Sequence, residues 1–273
     1  METLTSDPVF ALAIQLDLPD LLTFCSSSSK INNIICKREH IWRYKLNQDF
    51  LNDLASFVNL NKTLKELYIL LWKLRDLKQQ LNLKQDLFSI YNLKELELSN
   101  KNLTKLPASV HVLEKLQNLN VNNNKFTELP SLPPSLQDLN VSINELTELP
   151  SLPASLQRLY VSNNKLTELP SLPAFLQSLN ICKNKLTVLP SLPPSLKFLY
   201  VANNSLTELP SLPPSLQSLY VSNNKLTELP SFPPSLQDLF VANNELTELP
   251  SLPTSLQTLL ASDNKLTELQ RSG

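Results

Sequence analysis

The sequence predicts an α/β-type repeat solenoid, with short parallel strands on its concave face and an extended, polyproline-like convex side, preceded by an all-α head. Three observations predict it. Leucines recur at 93, 116, 136, 156, 176, 196, 216, 236 and 256, marking nine units of which the first has 23 residues and the others 20. Nineteen of the 21 prolines lie inside those units. Before them the chain carries only Pro8 and Pro19 and spaces its apolar residues as helices do. A fixed period of this kind marks stacked units that each contact only their neighbours.

Taken in order, residues 7–50 read as a helical domain of short helices. Pro8 and Pro19 suit first-turn positions, where the missing N–H has no partner to lose, and Asp7 and Asp20 stand beside them. The serines at 26–29 break the pattern and offer a cap to a helix over about 29–37. Trp42, Leu46 and Phe50 then fall on one helix face. The stretch PVFALAIQLDLPDLLTFC, followed by IICKREHIW, resembles the F-box family. The likeness lies in a proline-led first helix, the run Asp20-Leu21-Leu22, a cysteine soon after, and Trp42 downstream. That resemblance implies docking onto a Skp-type adaptor of a cullin-RING ubiquitin ligase through Pro8, Leu12, Leu18, Leu21 and Leu22, with Trp42 as core. The residues alone leave a second reading open, a helical cap over the apolar end that every solenoid exposes.

Residues 51–92 suit that capping role as a helical linker, with Leu64, Leu67, Leu71 and Leu74 at heptad-like spacing. The solenoid is expected over 93–270. Its unit reads LxxLxVxxNxLTELPSLPPS, as in LQSLYVSNNKLTELPSLPPS at 216–235. The unit resembles the leucine-rich repeat, LxxLxLxxNxL, and most nearly the bacterial LPX class found in effectors delivered into host cells, over about 116–270. The physics agrees. Alternation at positions 4 and 6 sets one short strand, apolar side inward. Each unit buries about six apolar groups at roughly 1.5–3 kcal/mol apiece, against ordering costs of about 1–2 kcal/mol per residue, so only the stacked array folds. The prolines fix an extended return, which needs fewer residues than a helix and gives the short period.

Position 9 is asparagine in eight of the nine units: Asn124, Asn144, Asn164, Asn184, Asn204, Asn224, Asn244 and Asn264. The chain turns there, and an amide with two donors and an acceptor can satisfy backbone groups from unit to unit. The first unit has Lys101 instead, which marks it as a capping unit.

Positions 3 and 5 flank the inward leucine and should point out from the concave face. They place Phe198, Tyr200, Tyr220 and Phe240 in one aromatic patch, with Arg158, Tyr160 and Asp238 adjacent. Such a patch either stiffens the strand ladder or binds a partner; aromatics and arginine dominate interface hot spots, which favours a protein target. Position 13 adds a column of glutamates from Glu128 to Glu268, interrupted by Val188, which the lysines of position 10 offset in part; it reads as a solvated edge.

Composition excludes several classes. The formal net charge is −1, too even for a nucleic-acid partner. The only glycine is Gly273, so no phosphate-cradling loop exists, and His40 and His111 are too few for a zinc site or a triad. Neither cofactor nor metal is expected, and the protein should not be an enzyme. The N-terminus lacks a basic leader and the longest apolar run, LYILLWKL, is too short to span a bilayer. Three cysteines without a CxxC pair fit a reducing compartment better than a disulfide framework, so a cytoplasmic protein is expected, in host cytoplasm or nucleus if the source is a virus or an intracellular bacterium. No enzyme domain is expected after the ninth unit, and the open last edge is expected to fray, to self-associate edge to edge, or to mark a natural variation in repeat number. The expected function is a non-catalytic adaptor: the head joins a ubiquitin ligase and the concave face chooses its target. The alternative is a stand-alone LPX-type effector or scaffold without a ligase link.

Overall fold

The computed structural model describes residues 8–267. Asp7 and the expected last residues of the solenoid, Glu268 among them, lie outside the described residues. The chain divides into two compact units at Asn92–Leu93.

The first unit is helical: α1 (Pro8–Ala13), α2 (Leu18–Ser26), α3 (Ser29–Ile31), α4 (Glu39–Asp49), α5 (Leu54–Phe57), α6 (Leu64–Gln80) and α7 (Leu87–Tyr91). Proline does open the first turns of α1 and α2, but the cap of α2 is Asp17, whose carboxylate accepts from the Asp20 N–H at 3.0 Å. Ser28 caps α3. The helix expected over 29–37 is α3 followed by a π-helical turn, Asn32–Cys36. A capping box, Thr63 with Glu66, starts α6.

Trp42, Leu46 and Phe50 are each 2% exposed, as their spacing predicts, and the Trp42 indole N–H donates to the Cys36 carbonyl at 2.8 Å. Tyr68 of α6 packs its ring 5.8 Å from Trp42 and 5.7 Å from Phe50, tying α4 to α6. Its hydroxyl donates to Asp49 at 2.7 Å, and Asp49 also pairs with the buried Lys45 ammonium at 3.2 Å. Burial, then this hydrogen bond to a carboxylate, pushes the Tyr68 phenol far up. Lys45 Nζ also donates to the Ile14 carbonyl, so one buried charge holds α4 to the α1–α2 connection.

One expectation is overturned here. Cys25 and Cys36 form a disulfide. The fold of α2 back onto the π-helical turn brings their Cα atoms to 5.8 Å, a juxtaposition that an odd cysteine count and the absence of CxxC do not reveal. Cys182 is free.

The second unit is a nine-stranded parallel sheet in chain order: β1 (Glu95–Glu97), β2 (Asn118–Asn120), β3 (Asp138–Asn140), β4 (Arg158–Tyr160), β5 (Ser178–Asn180), β6 (Phe198–Tyr200), β7 (Ser218–Tyr220), β8 (Asp238–Phe240) and β9 (Thr258–Leu260). Each strand has three residues, and the central leucines of β2 to β8, Leu119, Leu139, Leu159, Leu179, Leu199, Leu219 and Leu239, are at most 2% exposed, whereas Leu259 of β9 is 36% exposed. Positions 1, 6 and 11 complete the core, for example Leu156, Val161 and Leu166 at 0%. From the second unit onward the proline-bearing return is neither helix nor sheet. The longer first unit instead carries a 3₁₀ turn, Ala108–Val112, which uses its extra residues.

The asparagine ladder works as its chemistry predicts. Asn164 Nδ2 donates to the Val141 and Val161 carbonyls, both at 3.1 Å, and its Oδ1 accepts from the Leu146 N–H at 3.0 Å. At the end of the ladder Asn124 Oδ1 accepts from both Lys101 N and Leu103 N, so the unit without its own asparagine is held by the next. Two further columns went unread in the sequence. Position 8 has positive φ in every unit, from Asn100 (58°) to Asp263 (54°), which explains the recurring Asn-Asn pairs, because asparagine tolerates the left-handed region. Ile143 occupies it at φ 56° despite its β-branch. Position 20 is a serine whose hydroxyl bonds carbonyls of the adjoining turns, as Ser215 does to Pro194 and Leu196. In place of that serine Phe175 stands 68% exposed.

Replacing Asn164 with alanine should cost about 1–3 kcal/mol, read from urea midpoints, because it orphans backbone groups in two units. Ile143→Asn should stabilise the chain by roughly 1 kcal/mol on the same measurement, by removing a β-branched residue from the left-handed region. Reduction, or Cys25→Ser, should lower the stability of the helical unit by about 3 kcal/mol, the chain-entropy value for so short a loop, while the strand unit melts as before.

Candidate protein-interaction surface

Alternation along a three-residue strand sends positions 3 and 5 outward on either side of the buried leucine. In-register pairing then stacks like positions in columns, with Tyr200 beside Tyr220 and Tyr220 beside Phe240. The rings follow. Tyr200 and Tyr220 centroids lie 4.8 Å apart and tilted; Tyr220 and Phe240 lie 4.1 Å apart and stacked. Leu260, 45% exposed, extends the same column and was absent from the sequence-predicted site, although its position 5 was the signal that could have found it. Phe198 lies two residues from Tyr200 on β6, where its strand partner is Ser218, not another ring. Burial raises both phenols, Tyr200 further through the neighbouring Tyr220 and Asp238, Tyr220 through Asp238, so both are neutral donors near pH 7. Asp238 itself accepts from the Ser218 hydroxyl at 2.9 Å.

Two sequence-predicted members stand apart from the ladder. Tyr160 is two strands from Tyr200, with Asn180 between them. Arg158, expected to be available to a partner, is engaged as a two-pronged pair with Asp138 of the preceding strand. The two residues share position 3 in adjacent units, so parallel register puts opposite charges side by side.

The first strands carry amides and acids. Asn118 donates to Glu95 at 3.0 Å and Asn120 to Glu97 at 2.7 Å. With Asp138, Asn140 and Tyr160 they line a shallow cleft of about 200 Å³. Partial burial works against the Glu97 charge, but hydrogen bonds from Ser99 and Asn120 outweigh it and hold the carboxyl below the usual range. Asparagines at position 5 also close the strand end, as Asn140 Oδ1 does by accepting from Ser142 N at 3.1 Å. The concave face therefore has an amide-acid half and an aromatic half. On the solvated edge, Lys165 and Lys265 pair with Glu145 and Glu245 of their own column, not with the position 13 glutamates.

In the helical unit, Pro8, Leu12 and Leu22 are exposed, the leucines at 49% and 36%. Leu18 and Leu21, expected to contact an adaptor, are instead core residues at 3% and 0%. The correction has a local cause: Leu18, Leu21 and Cys25 share one face of α2 at i, i+3 and i+7, and that face is the buried one. No helix among the described residues is long and apolar enough to cross a membrane. Nor do three His, Cys, Asp or Glu side chains converge among them.

A parallel ladder of three-residue strands, a position 9 asparagine column and an extended return define a leucine-rich-repeat protein. The chain belongs to that family. Leucine-rich-repeat family models match residues 115–139 and 155–174, and a two-copy model matches 194–234. Among solved structures it is similar to YopM from Yersinia enterocolitica WA-314, at 35% identity and TM-score 0.58 over 83% of this chain and 53% of that one. It is likewise similar to the leucine-rich effector YopM from Yersinia pestis, at 38% identity and TM-score 0.60 over 77% and 58%. A Shigella effector leucine-rich-repeat domain is 32% identical, with TM-score 0.50, over 70% of this chain and 82% of that domain. This chain thus spans little more than half the length of either YopM chain. No curated protein matches it. None of these likenesses concerns an F-box.

Because Tyr220 touches rings on both sides, Tyr220→Ala should destabilise the strand unit by about 0.5–1.5 kcal/mol for each ring pair lost, measured by thermal melting. Arg158→Ala, which breaks an exposed pair, should cost at most about 1 kcal/mol.

Proposed function

We propose that this protein is a non-catalytic, effector-type binding module that captures a protein target on the aromatic half of its concave face. The observation that carries this is the continuous column Tyr200, Tyr220, Phe240 and Leu260, half-buried to exposed, on a rigid ladder. Large, low-entropy rings presented by a preformed scaffold are what interface hot spots are made of. The column also stiffens the sheet, and the two roles separate by experiment. The likeness to Yersinia and Shigella effectors supports action inside a host cell, where the Cys25–Cys36 bond would meet reducing conditions.

A second reading, docking of the head onto a Skp-type adaptor and so onto a cullin ligase, has one observation in its favour: Val9, Leu12 and Leu22 are exposed apolar residues on α1 and α2. The burial of Leu18 and Leu21 removes two of its five contacts. The stand-alone reading is therefore the one adopted.

Affinity capture from host-cell extract with the full chain should yield a protein that Tyr200→Ala with Tyr220→Ala loses and Phe175→Ala, an exposed aromatic outside the strands, retains. Equal capture by all three would refute concave-face recognition. Direct binding of a purified Skp adaptor, lost on Leu12→Asp with Leu22→Asp, would restore the ligase reading.

A further inference from the structure

Resting on the concave-face reading, we infer the chemistry of the partner: a basic segment, with an arginine seated on the Tyr200–Tyr220–Phe240 column against Asp238. Outward positions 3 and 5 of the nine strands carry Glu95, Glu97, Asp138 and Asp238 but only one cation, Arg158. That cation is already paired with Asp138. Glu95, Glu97 and Asp238 are left without a paired cation on the strands, with Lys101 acting on Glu97 from the turn after β1. Position 8 adds Lys183 and Asp263, which cancel, and Lys94 and Lys197 precede β1 and β6 at the opposite parity.

The aromatic column and the charge point to the same ligand. Ring faces attract cations; those of Tyr220 are covered by Tyr200 and Phe240, which leaves the outer faces of the rings that end the column, and a guanidinium seated there also matches a carboxylate with its planar fork. Asp238 is placed for the second contact: it lies on the strand that ends in Phe240, across from Ser218, and its charge adds to the burial that raises the Tyr220 and Tyr200 phenols. Ser218 fixes one carboxylate oxygen, leaving the other for the incoming donor. The neutral phenols of Tyr200 and Tyr220 supply further polar contacts beside it. At the far end of the face Glu95 and Glu97, held by Asn118 and Asn120, extend a field of the same sign and draw a basic chain along the concavity. Six strand steps of about 4.8 Å separate Glu97 from Tyr220, so an extended segment of about nine residues would span both.

The probe is a fluorescein-labelled nonapeptide alternating arginine and leucine, titrated against the full chain by anisotropy, with its citrulline and glutamate counterparts in parallel. The arginine peptide should bind at least about tenfold more tightly than the citrulline peptide, which has the same shape without the charge. Asp238→Asn and Tyr220→Ala should each weaken it about tenfold, while Asp238→Glu retains binding. Added salt should weaken it further. Equal binding of the arginine and citrulline peptides, or preference for the glutamate peptide, overturns the inference without any variant. So does arginine-peptide binding that Asp238→Asn leaves unchanged. If a captured target is lost by the Tyr200→Ala, Tyr220→Ala chain but kept by Asp238→Asn and not displaced by the arginine peptide, only the basic-segment inference fails. If the double alanine chain keeps the target, the concave-face reading itself fails.

Discussion

Everything in the strand unit depends on one amide. A strand of three residues has too few ladder bonds to hold its own ends, and the turn after it buries carbonyls in a place where no strand can reach them. The position 9 asparagine answers both difficulties. Asn144 donates to carbonyls of two successive units, and its oxygen closes the turn at Phe126. A side chain that binds its own unit and the one before it makes folding collective, since neither unit is satisfied alone. The helical unit has a comparable knot in Lys45, Asp49 and Tyr68, where one buried charge fixes three elements.

The unit leaves few positions free. Leucines, valine, asparagine and the return prolines are committed to stacking, and position 8 must accept positive φ. Among the positions that remain, 3 and 5 flank the inward leucine of each strand, and there the chain varies from unit to unit. Asparagine at position 5 stabilises the end of its own strand, whereas an aromatic there gives up that bond and, where the next strand also carries one, gains a ring contact. The change from Asn120, Asn140 and Asn180 to Tyr200, Tyr220 and Phe240 therefore exchanges local backbone satisfaction for a surface that can meet a partner.

The fold was legible because its signals are periodic. Leucine spacing, the asparagine column and proline placement each specify one local geometry, and all agree. The positive-φ column was equally visible in the Asn-Asn pairs but was masked by the more familiar role of the second asparagine. The Arg158–Asp138 pair was also readable in principle, since both stand at position 3 of adjacent units. The head was harder. Helices with caps could be found from Pro8, Pro19 and Ser28, but which faces they bury depends on packing among elements of different length. Leu18, Leu21 and the Cys25–Cys36 bond are decided there, and no spacing rule reports it.

From β2 onward every strand pairs with the next through residues 20 positions further along the chain. A gain or loss of one whole 20-residue unit in the gene would therefore leave each strand-ladder and position 9 asparagine bond with a chemically equivalent partner. The lineage can lengthen, shorten or shuffle the array without redesigning its interior, and each such event moves the aromatic column relative to the acidic end. On the proposed concave-face reading, target choice can thus change by counting units rather than by altering side chains.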